Sequence, residues 1–388
     1  MTAPVTGLDA LLAAKEMVLV CGSGGVGKTT TAAAIGLQAA TELGGRVLVL
    51  TVDPARRLAD ALGLGAAGVA NDEIRVDPAR LPGKPRGELW IAMLDTKASW
   101  DDLVIRHAPD EATRDAILAN PLYRNITSRF VHSHEYIAME RLHDLHASGR
   151  YDLVIVDTPP SRHALDILDA PARMKEFFGS RLLRWLTVPA RSRLFNAASK
   201  PFYQVADRIL GSNFLKDVAE FFVLLQKMES GFVRRAGETE AMLADARTTF
   251  VVVTTLEAAP ATEARFLLGE LTERRLPLGA VVVNRVLPES LGALEARESA
   301  SQLVEQASAL ADELAPTVGS EPALVARVLA EVGRRFQDFG VVASRQAERQ
   351  AELAALCPLV VPVPWFEQGG DDLTTLAQIG MSTWGRAQ

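Results

Sequence analysis

Gly22-Ser23-Gly24-Gly25-Val26-Gly27-Lys28-Thr29-Thr30 follows the apolar run Met17–Cys21 and precedes a helical stretch from Thr30 to Leu43. It fits G-x-x-x-x-G-K-[ST] in its proper context, between a strand and a helix. Glycines let a backbone curl around a phosphate chain through dihedrals that other residues resist. The N–H groups of such a loop, with the positive end of the next helix, make an anion site. Gly24, Gly25, Val26, Gly27, Lys28, Thr29 and Thr30 are therefore expected to hold a triphosphate. Lys28 reaches its β- and γ-phosphates, and Thr29 offers a hydroxyl to Mg²⁺. Gly44-Gly45 reads differently, as a helix stop before the next strand.

Outward from this loop, short β-rich apolar runs alternate with helical stretches, the pattern of a parallel sheet with crossovers. Strands are expected at Met17–Cys21, Arg46–Val52, Leu89–Leu94, Asp152–Val156, Thr249–Thr254, Gly279–Asn284 and Leu359–Val363. Several end in polar or punctuating residues: Gly22, Asp53, Asp157, Asn284 and Pro364. Ligands of open α/β sheets lie beyond those carboxyl ends. Hydrolysis of a triphosphate needs a carboxylate beside the metal and a group that orients water. Asp157, closing Leu153-Val154-Ile155-Val156, stands where the metal-side aspartate belongs, and Asp53 ends the neighbouring apolar run.

The fold class that follows is α/β, a mainly parallel sheet flanked by helices, with an inserted α-helical subdomain. The nucleotide domain is assigned to residues 1–95, 150–170 and 245–388, and the helical subdomain to 96–149 and 171–244. About ninety residues separate Val156 from the strand near Thr249, far more than one crossover requires. Within them, Pro171–Arg235 carries 12 Lys and Arg against 5 Asp and Glu, and ten of the 23 aromatic residues. Such a segment can pack its own core with a basic wet face, offer a groove to an apolar client helix, or meet acidic headgroups. The apolar spacing Phe214, Val218, Phe221, Phe222, Leu225 fits a wide helix stripe.

Composition bounds the rest. The chain has 388 residues, 48% hydrophobic, with net charge −7, which does not favour a nucleic-acid partner. Cys21 and Cys357 are far apart and form no CxxC, so neither a disulfide framework nor a thiolate zinc site is expected. No apolar run reaches a membrane span, and Met1–Ala14 does not read as a secretory signal. The expected location is cytoplasmic, with any membrane association made through a partner. All six histidines fall between His107 and His163. His143 and His146 share a helix face, but no spacing completes a metal ligand set.

The glycine loop, Asp53-Pro54-Ala55 and Asp157-Thr158-Pro159-Pro160 resemble the arsenite-pump and tail-anchored-protein-targeting ATPase family. The likeness continues through Thr254-Thr255-Leu256-Glu257, Pro260, Glu263, Arg265, Val283-Asn284-Arg285 and Val361-Pro362-Val363-Pro364, in order over nearly the whole chain. The resemblance implies a Mg-dependent ATPase that works as a dimeric nucleotide switch. It implies that Asp53 positions or activates water and that Asp157 opens the switch sensing the γ-phosphate. It also implies that Asn284 and the stretch around Pro364 receive adenine, and that the helical insert meets a client or effector. The partner subunit is then a second copy or a paralogous ATPase, and the client a membrane protein or apolar helix. Three departures stand out. Ser23 occupies the place of the family's signature lysine, Arg56 replaces a histidine, and the family's zinc-binding CxxC and arsenite-binding cysteines are absent.

Overall fold

The computed structural model describes residues 7–52, 71–126, 133–180, 220–366 and 373–385. Eight strands form one sheet: β1 (Met17–Gly22), β2 (Arg46–Thr51), β3 (Ile74–Arg75), β4 (Glu88–Met93), β5 (Leu153–Asp157), β6 (Thr248–Thr254), β7 (Leu278–Val286) and β8 (Val360–Pro364). Their order is β3-β4-β2-β5-β1-β6-β7-β8. Every neighbouring pair is parallel except β3 with β4. Seven strands are those read from the apolar runs, with ends shifted by a residue or two. β3 was not foreseen, because two residues carry no periodicity.

The central strands β1, β5 and β6 are buried at every position, as parallel strands covered on both faces must be. Side chains alternate between the two faces. Met17, Leu19 and Cys21 enter one core, and Val18 and Val20 enter the other. The second core is closed by the helix Lys28–Glu42, whose Ala32, Ala33, Ala34, Ala39 and Ala40 are all buried. Small residues bring this helix close to the sheet; a Cβ on Gly36 would stand 2.3 Å from Val49.

The first core receives the helices Thr96–His107, Ser133–Ala147, Ser161–Gly179 and Glu229–Ala244. The described aromatic residues of the basic segment lie inside it. Phe178 stacks on Phe232 at 5.3 Å, and Phe232 meets Tyr136 at 5.6 Å. Phe221 and Phe222 pack edge to face at 5.3 Å. These rings serve an internal core; residues 181–219, including Phe214 and Val218, lie outside the described residues.

Between β7 and β8 the chain forms three helices, Leu294–Glu305, Ala307–Val318 and the 33-residue Pro322–Ala354. They pack chiefly on one another. No described helix is long and apolar enough to cross a membrane.

Candidate functional site

At the carboxyl end of β1 the loop turns through left-handed glycines, Gly25 at φ 81° and Gly27 at φ 95°. Gly27 also opens the helix Lys28–Glu42, and no side chain caps that helix. Its first turn is thus directed at the loop with no acidic residue to neutralise its positive end. A Cβ at Gly24 or Gly25 would meet nothing within 4 Å, whereas one at Gly27 would stand 2.4 Å from Asn284 Nδ2. The loop is open on its outer side and tightly seated on its inner side.

Lys28 is 8% exposed, and its Nζ donates to the carbonyl of Ser23 at 2.9 Å. The ammonium is held over the loop it closes. Ser23 is equally buried, and its Oγ has no hydrogen-bond partner among the described residues.

The sheet register brings the polar strand ends together. Asp157 of β5 lies level with Val20 of β1 and Thr51 of β2. Its Oδ2 accepts from Thr29 Oγ1 at 2.7 Å and from Thr51 Oγ1 at 3.0 Å. A fully buried carboxylate is costly unless hydrogen-bonded, and these two hydroxyls supply part of what it needs. Next to it, Thr158 donates through Oγ1 to the Val20 carbonyl at 2.9 Å. Thr51 was missed in the sequence, its signal a hydroxyl residue inside an otherwise apolar strand, whereas Thr158 was read only as part of the motif that Asp157 opens.

Asp53 and Arg56 lie outside the described residues. Just before them, the Val52 N–H donates to the Asp157 carbonyl at 3.1 Å, which holds the end of β2 level with the end of β5.

On the other flank, Asn284 Nδ2 donates to the Val26 carbonyl at 2.8 Å, and its Oδ1 accepts from Arg285 N at 2.9 Å. Arg285 takes a left-handed φ of 59° to allow this. Asn284 thus clamps the loop from β7. Pro364 is exposed, pairs in register with Val286, and is followed by Trp365, whose N–H donates to the Val286 carbonyl at 3.1 Å. Asn284 and Pro364 therefore sit at the ends of adjacent strands, on the same sheet edge as the glycine loop.

Cys21 borders this site but is buried, and burial pushes its thiol up to about 11 against the opposing Thr158 hydrogen bond and Lys28 charge. It stays protonated and unreactive at neutral pH. His146 contacts Glu16 at 3.0 Å and His143 contacts Glu238 at 3.3 Å. No group of three metal-ligating side chains occurs among the described residues.

The donor set is one of hard oxygens, the Thr29 hydroxyl and the Asp157 carboxylate, beside an open glycine cradle. This fits Mg²⁺ carried on a nucleotide triphosphate. Comparison with known proteins agrees in kind. Residues 15–309 match the family described as anion-transporting ATPase. A protein of Entamoeba dispar named ATPase ASNA1 homolog is 24% identical over 74% of this chain and 81% of its own length. The ATPase get3 of Aspergillus terreus is 27% identical over 70% of this chain and 73% of its own. An uncharacterized protein of Streptomyces coelicolor, SCO2128, is 29% identical over 70% of this chain and 63% of its own.

Proposed function

This chain belongs to the anion-transporting ATPase family, and from that premise we propose that it is a cytoplasmic, Mg-dependent ATP-hydrolysing switch that works as a dimer. The observation that carries the reading is the shared hydrogen bonding of Asp157 Oδ2 with Thr29 and Thr51 directly beside the Lys28 loop. Bound magnesium would offset charge on the β- and γ-phosphate oxygens, held by Thr29 and Asp157. Lys28 leaves the Ser23 carbonyl for the phosphates, while backbone N–H groups from Gly24 to Thr30 take the remaining oxygens. Asp53 orients the attacking water. Asn284 and Pro364 receive the base, Asn284 with the amide hydrogen not given to Val26. Movement of Asp157 and the residues after it passes to the helix Ser161–Gly179, which begins four residues later and packs in the helical layer. That layer is the part of the molecule which meets the client or effector.

A second reading rests on Ser23. A hydroxyl cannot deliver the cation that the family's signature lysine carries to a partner's phosphates, and such a charge is worth a large part of the rate. The chain is then an ATP-responsive, weakly active subunit beside a catalytic paralogue. ATPase turnover of the purified chain against Lys28→Ala separates the two. Turnover clearly above that variant supports the enzyme. Nucleotide binding with turnover equal to the variant supports the regulatory subunit, and absence of nucleotide binding sinks both.

A further inference from the structure

The end of β2 departs from its own pattern at one position. Val47 and Val49 face the core beneath the helix Lys28–Glu42, and alternation along the strand puts Thr51 on the same face. Thr51 is 1% exposed. A valine there would have the same shape with no polar atom to bury, so the hydroxyl is unfavourable unless it is hydrogen-bonded. On β5, Leu153 and Ile155 face the same core. Asp157, level with Thr51 in the register, therefore carries its carboxylate beside that hydroxyl. Thr51 Oγ1 donates to Asp157 Oδ2 at 3.0 Å.

The backbone around Thr51 is fixed from both sides. From β4 the Leu94 N–H donates to the Thr51 carbonyl at 3.0 Å, and the Val52 N–H donates to the Asp157 carbonyl at 3.1 Å. A β-branched residue also has little freedom at χ1, so the hydroxyl is aimed before any ligand arrives. Thr29, half-buried in the first turn of its helix, donates to the same Oδ2 at 2.7 Å. One carboxylate oxygen offers about two lone-pair directions, and these two hydroxyls take both. The terminal torsion of an aspartate is intrinsically broad; two donors from different elements, a helix and a strand, narrow it.

We infer that Thr51 is a positioning residue for magnesium: it sets the rotation of the Asp157 carboxylate so that Asp157, with Thr29, receives the cation of a Mg·ATP complex. The inference rests on the reading of Thr29 and Asp157 as the metal-side pair. It adds that metal affinity is tuned from β2, by a side chain that does not itself ligate the metal.

The test is calorimetric binding of adenylyl imidodiphosphate to the full chain, in excess EDTA and in Mg²⁺. The ratio of the two affinities is the magnesium-dependent gain. Thr51→Val keeps the shape and removes the donor. It should leave affinity in EDTA near wild type and cut the gain by about tenfold or more. Thr51→Ser, which keeps the hydroxyl, should recover most of the gain. Binding of Mn²⁺ to the nucleotide complex, read by electron paramagnetic resonance, should weaken in the same order. In an Asp157→Asn background Thr51→Val should lower the gain no further, because the group it positions is gone. If Thr51→Val does not fold, Thr51→Ala against Thr51→Ser makes the same comparison. An unchanged gain without the hydroxyl, equal loss of affinity with and without metal, or an effect that adds in full to Asp157→Asn overturns the role of Thr51 alone. A wild type that binds nucleotide with no magnesium-dependent gain overturns the metal-side pair as well, and one that binds no nucleotide overturns the function from which both follow.

Discussion

Two buried cations, Lys28 and Arg235, are 8 and 3% exposed, and the space beside them differs. Arg235 sits in the helical layer with its Nε on Glu140 at 2.8 Å, its guanidinium 5.3 Å from the Phe232 ring, and Tyr136 donating to the same carboxylate. Around it the packing is closed by aromatic rings. Lys28 sits beside glycines whose outer side is open, and it rests on a backbone carbonyl. Arg235 spends its Nε on a carboxylate of its own chain and lies against aromatic rings, although its Nη2 has no hydrogen-bond partner among the described residues. The Lys28 ammonium donates to a carbonyl beside a loop with room on its outer side, which leaves space for a ligand next to it. Burial of charge is therefore not itself a functional signal; the space beside the charge is.

The contrast can be broken by mutation, and the largest effect should be on chemistry at Lys28. Lys28→Ala is expected to lower ATP turnover by about 100-fold or more. It should shift the unfolding free energy by under about 1 kcal/mol, as read from steady-state kinetics and urea denaturation. Arg235→Ala should do the reverse. Leaving Glu140 buried without its partner should cost about 3–5 kcal/mol, while nucleotide affinity of the molecules that remain folded stays near wild type. If Arg235→Ala instead lost nucleotide binding at unchanged stability, the distinction drawn here would fail.

A smaller effect sharpens the open side of the comparison. Gly27→Ala meets both a left-handed φ and the Asn284 amide, so a loss of about 1–3 kcal/mol is expected. Gly24→Ala, facing open space, should retain stability and lose affinity for the triphosphate. The smallest effect is on pH. Burial, with the Arg235 charge behind it, holds His107 down to about 4, below its ordinary 6.5. The folded state thus binds fewer protons here than the unfolded state once pH falls below 6.5. The stability this contributes is complete above that pH and is lost as pH drops towards 4. His107→Asn should flatten part of that slope in urea midpoints measured at pH 7.5 and 5, with nucleotide affinity unaffected.

The sequence was informative where one residue type has one physical use. The loop from Gly22 to Thr30, the apolar runs of β1 and β5, and Phe250–Val253 within β6 were legible because left-handed turns need glycine and strands covered on both faces are mostly apolar. Asp157 was legible as the polar end of such a run. Thr51 was not, since a threonine in a strand is ordinary until register sets it opposite a carboxylate. Asn284 carries two uses at once, a clamp on Val26 in the fold and a base contact in the resemblance, and only the first can be seen without a ligand. That Leu324, Val328, Val332, Phe339 and Val342 of the helix Pro322–Ala354 stand exposed could not be recognised, because apolar spacing on a helix is the same whether its partner is the chain itself or another molecule.

The glycine loop is fastened on both sides to different strands, through Asn284 of β7 to Val26 and through Thr29 to Asp157 of β5. Its width is consequently set by how far those strands stand apart, as a bowstring's tension is set by the limbs. Any load that alters the twist of the sheet between β5 and β7 is transmitted to the glycine loop, and anything that widens the loop pushes back on the sheet by the same two tethers.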